Sequence, residues 1–265
     1  MVNLELEKSS NSLKDKIMEN KLTVEQLLKS GAHFGHPTSK WNPNFLPYIA
    51  TKKNGIHIIN LEETIRCIEK AEKELLNITN SGGIILFVGT KNQVKDVVQE
   101  SADKCGMFYI VERWLGGVLT NFPTIKKSIR RLEKLEKESS SIYKNLTKKE
   151  MLQLERERIK LSDLHRGIKD MKHIPSALFV VDVKHEKIAV DEAKILGIPV
   201  FGVVDTNTDP KLVNFPIPAN DDSIKTIKLI LDSLTQSINL NNNQKKEDSD
   251  KKENSLLLGN SNKEG

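Results

Sequence analysis

An α/β protein organised around a doubly wound parallel sheet is the fold that these 265 residues predict. Three observations carry that expectation. Short, continuously apolar runs recur along the chain, of the kind that parallel strands buried on both faces require. Segments of helix length, with apolar residues at steps of three and four, separate them. The alternation has a βαβαβ rhythm, from which a right-handed, doubly wound arrangement follows. At this length one or two domains are expected, and a core can form without disulfides or metals.

Each element has a local justification. Thr23-x-x-Gln26 is a capping-box pattern and opens a short helix that ends near Gly31. Ile56 to Asn60 (IHIIN) reads as a strand, and Asn60-x-x-Glu63 caps a helix carrying Ile65, Ile68, Leu75 and Ile78 at roughly helical spacing. Gly83 to Gly89 (GIILFVG) is a buried strand, after which Thr90-x-x-Gln93 caps a helix reaching about Cys105. Phe108 to Val111 is strand-like. Ala177 to Asp182 (ALFVVD) and Pro199 to Asp205 (PVFGVVD) are two more buried strands, separated by a helix from Glu186 to Leu196. A last helix spans about Asp221 to Ile238.

One segment breaks the rhythm. From about residue 121 to 171 no strand is predicted, only two helical stretches around a Ser139-Ser140-Ser141 turn. Phe122, Ile125, Ile129 and Leu132 mark the first stripe; Leu154, Leu161, Leu164, Ile168 and Met171 mark the second, which Thr147-x-x-Glu150 opens. Stripes this narrow suit two antiparallel helices packed mainly on each other, a protruding hairpin. The other faces are basic. Between Asn121 and Lys172 there are 15 Lys and Arg against 8 Asp and Glu, a net of +7, while the whole chain carries +5. Such a local excess is the usual footprint of a polyanionic partner, or else a solvated helix surface rich in lysine.

Composition excludes several classes. Hydrophobic residues are 37% and charged residues 29%, too balanced for disorder throughout. The longest apolar runs are far too short to cross a bilayer. Cys67 and Cys105 show no CxxC spacing, which argues for a reducing compartment and against a disulfide scaffold. The opening MVNLELEKSSNSLKDK has neither the apolar stretch of a secretory signal nor the acid-poor character of a transit leader. A soluble, intracellular protein is therefore expected, of a bacterial cytoplasm or an organelle matrix. Residues 1–21 read as a flexible extension, and 239–265, with five Lys and five acidic residues among Asn and Ser, as a disordered tail.

The carboxyl ends of the strands are where such a sheet binds ligands. Gly89-Thr90-Lys91-Asn92 could cradle a phosphate at a helix start, but neither GxGxxG nor GxxxxGK[ST] is present. Asp182, Asp205 and Asp209 could serve a metal or acid–base chemistry; bracing the loops is the plainer reading. His33 and His36 have no second ligand pair at metal-binding spacing, so no metal or cofactor is expected. Lys40, Trp41, Asn42, Lys52 and Lys53 combine cations with aromatics, as phosphate contact and base stacking require, although Phe34, Trp41 and Tyr48 could equally pack a loop onto the sheet. In Arg113-Trp114-Leu115-Gly116-Gly117 the glycines let backbone approach another surface, and Thr120 and Asn121 offer hydrogen bonds to phosphate or sugar; an internal turn is the alternative.

Taken together these stretches resemble the universal small-subunit ribosomal protein two family, in its bacterial or organellar form. The resemblance rests on Gly31-Ala32-His33-Phe34-Gly35-His36, Trp41-Asn42-Pro43, residues 54–59, 113–117 and 119–121, Pro175 to Asp182, Glu192 with Gly197-Ile198-Pro199, and Val204 to Asn207 with Asp209-Pro210. It covers about residues 22 to 238 in order. It implies a Rossmann-like (flavodoxin-like) doubly wound sheet with an inserted antiparallel coiled-coil hairpin, and no catalysis. It further implies binding to small-subunit ribosomal RNA and help in recruiting the large RNA-binding protein one of that subunit, with no membrane and no small-molecule substrate. On this reading Lys126, Lys127, Arg130 and Arg131 neutralise phosphates. Arg113, Asn121 and Lys40 position the backbone, Trp41 stacks or packs, and Asn42, Lys52 and Lys53 complete the set. Two rival expectations remain: an enzyme using Lys91, Asp182 and Asp205 on a phosphorylated small molecule, and a coiled-coil adaptor that binds only protein.

Overall fold

A computed structural model of the chain describes residues 22–137 and 146–241. The expectations for the extension over 1–21, the serine turn at 139–141 and the tail from 242 lie outside the described residues. Helix α1 (Val24–Ser30) begins in the expected capping box, with Thr23 and Gln26 each accepting the other's backbone N–H. It stops at Gly31, whose φ of 82° is left-handed.

Strands β1 (Phe34–Pro37), β2 (Ile49–Lys53) and β3 (Ile56–Ile59) then form a separate antiparallel sheet in the order β1-β3-β2. The run IHIIN is therefore a strand but not a member of the parallel sheet, which corrects the simple βαβαβ reading. The cause is local: Asn54 and Gly55, at φ 51° and 78°, make a two-residue hairpin turn that folds β3 back onto β2. Helix α2 (Leu61–Asn80) follows, capped by Asn60 accepting the Glu62 N–H. Glu63 pairs with Arg66 at 2.6 Å, so the expected reciprocal box is a single cap.

The second sheet is parallel throughout: β4 (Ile85–Val88), β5 (Phe108–Ile110), β6 (Ala177–Val181), β7 (Val200–Val204) and β8 (Phe215–Pro218), in the order β5-β4-β6-β7-β8. Counted from its first strand this is 2-1-3-4-5, a doubly wound order consistent with a Rossmann-like fold, with its switch point between β4 and β6. Strand β8 was not expected, because the two prolines in Phe215-Pro216-Ile217-Pro218 argue against a strand anywhere but an edge, which is where it lies.

Alternation across the sheet sorts the helices into two layers. Ile85, Phe87, Phe179, Phe201 and Val203 face α2, α3 (Lys95–Cys105) and the last helix, α7, over 224–241. Leu86, Val88, Leu178, Val180 and Val204 face α4 (Phe122–Glu136) and α6 (Lys187–Ile195). Residues 239–241 continue α7 rather than opening a tail, and Asn239 donates to the Lys104 carbonyl at 3.0 Å. Helix α3 starts later than Thr90-x-x-Gln93 predicts, because the Thr90 N–H and hydroxyl both turn to Glu186 and Val94 takes the cap position. Cys67 and Cys105 are free thiols. No helix among the described residues is long and apolar enough to cross a membrane.

Helix α4 packs against α5 (Lys148–His165), whose Thr147–Glu150 capping box forms as expected. Arg131 makes a two-pronged pair with Glu157 at 3.0 and 3.1 Å, Ser128 bonds His165 at 2.8 Å, and Lys169 pairs with Glu136. Phe122, Ile125 and Ile129 also join the sheet core with Ile168 and Met171, so α4 is shared between α5 and the sheet. The second helix ends before Met171: Arg166–Ile168 tighten into a 3-10 turn lying on β5. Gly167 permits that approach, since a Cβ there would stand 2.2 Å from the Tyr109 carbonyl oxygen. Gly167→Ala is expected to cost about 2 kcal/mol by overpacking and to lower Tm by about 4–8 °C in a thermal melt. A melt unchanged within a degree or so would show that the turn does not depend on this contact.

Candidate nucleic-acid interface

Helix α4 turns Phe122, Ile125, Ile129, Leu132 and Leu135 inward, and that periodicity leaves Lys126, Lys127 and Arg130 pointing away from the core. They line one wall of an open groove of about 610 Å³, over Phe122 and Pro123; Lys172, His173 and Ile174 form the other wall. No carboxylate lies among these lining residues. A neighbouring hollow of about 300 Å³ shares Lys126, Arg130 and Lys172 and adds Lys169, with Glu133 and Asp170 on its border. Lys126 is fixed in place: its ammonium donates to the Lys172 carbonyl and lies 5.1 Å from the Phe122 ring centroid.

The other expected contacts lie elsewhere. Arg131, grouped in the sequence with Lys126, Lys127 and Arg130, is turned onto Glu157 of α5 and does not line the groove. Arg113 is exposed and lines a different hollow of about 440 Å³ with Arg156, Lys160, Glu112 and Asp163. Asn121 precedes α4 and accepts the Thr124 hydroxyl at 2.8 Å. Asn42 is largely engaged in structure: it caps the 3-10 turn Pro43–Tyr48 through Asn44, and its N–H reaches the Thr206 carbonyl at 2.7 Å. Trp41 leans on buried His57 at 4.8 Å, which favours packing over stacking. Lys40 is exposed beside it, and Lys52 and Lys53 are exposed on β2. Lys172, His173 and Ile174 were not anticipated as site residues. Lys172 closed the basic segment in the sequence, but a loop has no periodicity to show which way it points.

The segment leading into α4 is organised by Glu192 of α6. Its buried carboxylate accepts from Trp114 Nε1 (3.0 Å) and the backbone N–H groups of Gly117 (2.8 Å), Leu119 (3.0 Å) and Thr120 (3.1 Å), and from the Thr120 hydroxyl. Burial opposes its ionisation, yet these donors hold its carboxyl below the usual carboxylate range. Gly117, at φ 92°, thus turns its N–H onto an internal carboxylate, while Gly116 is exposed.

At the switch point the imagined phosphate cradle is filled by the protein itself. The Lys91 ammonium contacts Asp182 (2.6 Å), Asp222 (3.0 Å) and Asp221 (3.1 Å), so the cation expected to meet a phosphorylated substrate is already engaged. Beside it His36 of β1 bonds Asp205 at 2.8 Å and Asn207 at 3.0 Å, tying the antiparallel sheet to the end of β7. Among the described residues no group of three or more His, Cys, Asp or Glu is placed to hold a metal ion. Asp209 caps the 3-10 turn Pro210–Leu212, bracing its loop.

This cluster makes stability depend on pH. Burial, with the carboxylates of Asp182 and Asp205 alongside, pushes Asp221 up to about 7, and the bond to Asp205 raises His36 above its ordinary value. Between the unfolded Asp value of about 4 and about 7, the folded chain holds a proton on Asp221 that the unfolded chain has released, so stability falls as pH rises through that window. His36 acts in the same direction, its contribution being present at low pH and lost as pH climbs through its raised value. Between about pH 6 and 8 the loss at Asp221 is about 1 kcal/mol. Thermal melts across this range should show it, and Asp221→Asn should flatten the slope while keeping an oxygen for Lys91. A variant with the parental slope would move the titration elsewhere.

A family model described as ribosomal protein S2 matches residues 27–240. Over 211 residues the chain is 56% identical to the small ribosomal subunit protein uS2 of Onion yellows phytoplasma (strain OY-M), covering 79% of this chain and 78% of that protein. The protein of the same name from Aster yellows witches'-broom phytoplasma (strain AYWB) is 54% identical over the same shares. That of Fusobacterium nucleatum subsp. nucleatum is 48% identical over 219 residues, 82% of this chain and 89% of its own. With a family match over most of its length and relatives this similar, the chain belongs to the ribosomal protein S2 family.

Proposed function

We propose that the chain is a structural constituent of the small ribosomal subunit, binding its ribosomal RNA along α4 and performing no catalysis. The observation that carries this reading is the groove of Lys126, Lys127, Arg130 and Lys172, in which no carboxylate competes for a phosphate. The name small ribosomal subunit protein, borne by its relatives, supports the setting. In this reading residues 22–238 are one α/β domain working in a bacterial-type ribosome. Helices α4 and α5 form a coiled-coil hairpin inserted between β5 and β6. Arg113, Asn121, Lys40, Lys52 and Lys53 add backbone contacts. The chain also meets neighbouring subunit proteins and helps recruit the large RNA-binding protein one. Leu152 and Ile159, exposed seven residues apart on α5, suit such a protein contact.

Sedimentation of a lysate containing the tagged full-length chain tests the reading. The chain should travel with small subunits and be released progressively as salt rises, because phosphate contacts release counterions. Recovery only in the unbound fraction at low salt would overturn it. Leu152→Glu with Ile159→Glu should leave the chain on the subunit while depleting the recruited protein.

A further inference from the structure

We infer that the groove between α4 and residues 172–174 seats an unstacked base of a single-stranded RNA segment, with the flanking phosphates on its basic rim. The inference rests on the RNA-binding reading above and specifies which kind of RNA this site takes. A surface that met only the outside of a duplex would need cations alone, because an A-form helix turns its base faces inward and presents phosphates and 2′-hydroxyls. This groove offers more. Ile174 is 43% exposed and Pro123 is exposed, and both line the groove together with Lys126, Lys127, Arg130 and Lys172. Apolar surface beside cations is the combination that an unpaired base between two phosphates satisfies. The open groove, of about 610 Å³, has ample room for one base.

The rim is also partly preorganised. Lys126 is held between the Phe122 ring and the Lys172 carbonyl, so its charge stands at a fixed place and loses little freedom when a phosphate arrives. Arg130 lies one helical turn further along α4, roughly 6 Å away along the axis, and lines both hollows. Its planar guanidinium can pair with a phosphate or lie flat on a base. The shared residues Lys126, Arg130 and Lys172 make the two hollows successive stations along one path, which suits an extended strand. A run of acidic residues would satisfy the cations but brings no flat apolar group to Ile174 and Pro123.

The test compares three probes on the full chain: oligouridine of about ten nucleotides, the same strand with its central bases removed, and duplex RNA of equal length. Base removal keeps the charge and should weaken binding about tenfold. Ile174→Ser, an exposed substitution, should bind intact oligouridine as weakly as the parent binds the abasic strand, and lose nothing further with the abasic strand. Pro123→Ala should show the same pattern less strongly. Equal affinity for intact and abasic strands, with both weakened by Lys126→Gln, Lys127→Gln and Arg130→Gln together, would overturn the base seat while leaving RNA binding intact. If that triple variant changed neither affinity nor salt dependence, the RNA-binding reading would fail and the base seat with it. Tighter binding of an oligoglutamate peptide than of oligouridine would overturn the inference in favour of a protein partner.

Discussion

Replacing Glu192 with glutamine is expected to destabilise the chain by about 3 kcal/mol, lowering Tm by about 6–12 °C. One carboxylate oxygen takes Trp114 Nε1 and the Gly117 N–H; the other takes the Leu119 and Thr120 N–H groups and the Thr120 hydroxyl. Glutamine keeps one oxygen and presents an NH2 group in place of the other, so two or three buried donors face a donor. Each unsatisfied group costs about 1–3 kcal/mol, which makes this a larger loss than a surface change of the same size. Because the native carboxyl is held below the usual range, its contribution is present above the unfolded value of about 4 and is lost as pH falls through the lower folded value. Parent and variant should therefore converge in acid. A variant melting within about 2 °C of the parent at neutral pH would show that residues 114–120 are held by other means.

The triple change Lys126→Gln, Lys127→Gln and Arg130→Gln should act on RNA binding rather than on folding. These side chains lie outside the core stripe of α4, so the melting temperature should move little. For single-stranded RNA, each lost phosphate contact lowers the slope of log K against log salt by about 0.7. Three contacts then remove about 2 units of slope, equivalent to about a hundredfold loss of affinity near 0.1 M salt. Filter binding across a salt series measures both quantities. Arg131→Gln provides the contrast: it breaks the pair with Glu157 and should affect the α4–α5 contact more than the salt slope. The same slope for parent and triple variant would remove the groove from the RNA interface.

The parallel strands were readable because a strand covered on both faces must be apolar at every position, as Ile85–Val88 and Ala177–Val181 are. The antiparallel sheet was not, since Phe34–Pro37 is four residues long and shows no alternation, and the hairpin signal in Asn54-Gly55 went unread. Caps show where local signals yield to distant ones. Thr23 and Thr147 make their boxes in exposed positions, whereas Thr90 sits at the end of β4 within reach of Glu186, a stronger acceptor from another element. The site followed the same division. Lys126, Lys127 and Arg130 follow from the period of α4, because the core stripe dictates the outward face. Arg131 falls beside Glu157, and Lys91 among carboxylates from the ends of two other strands, through contacts more than twenty residues apart that no window of sequence contains. Ile174 was missed for the opposite reason: an exposed isoleucine in a loop looks unremarkable until the groove around it is built.

Strand β8 bears on the life of the chain before any partner reaches it. An edge strand normally invites a further strand to hydrogen-bond along it, which is how folded proteins polymerise. Within Phe215–Pro218 the donors belong to Phe215 and Ile217, and neighbouring residues point to opposite sides, so the prolines occupy the alternate set. With β7 drawing on the donor-bearing side, the outward side is left with Pro216 and Pro218, which have no N–H to give. A chain waiting to be assembled therefore carries, at this edge, its own stop against templating copies of itself, written into the same two residues that hid the strand from view.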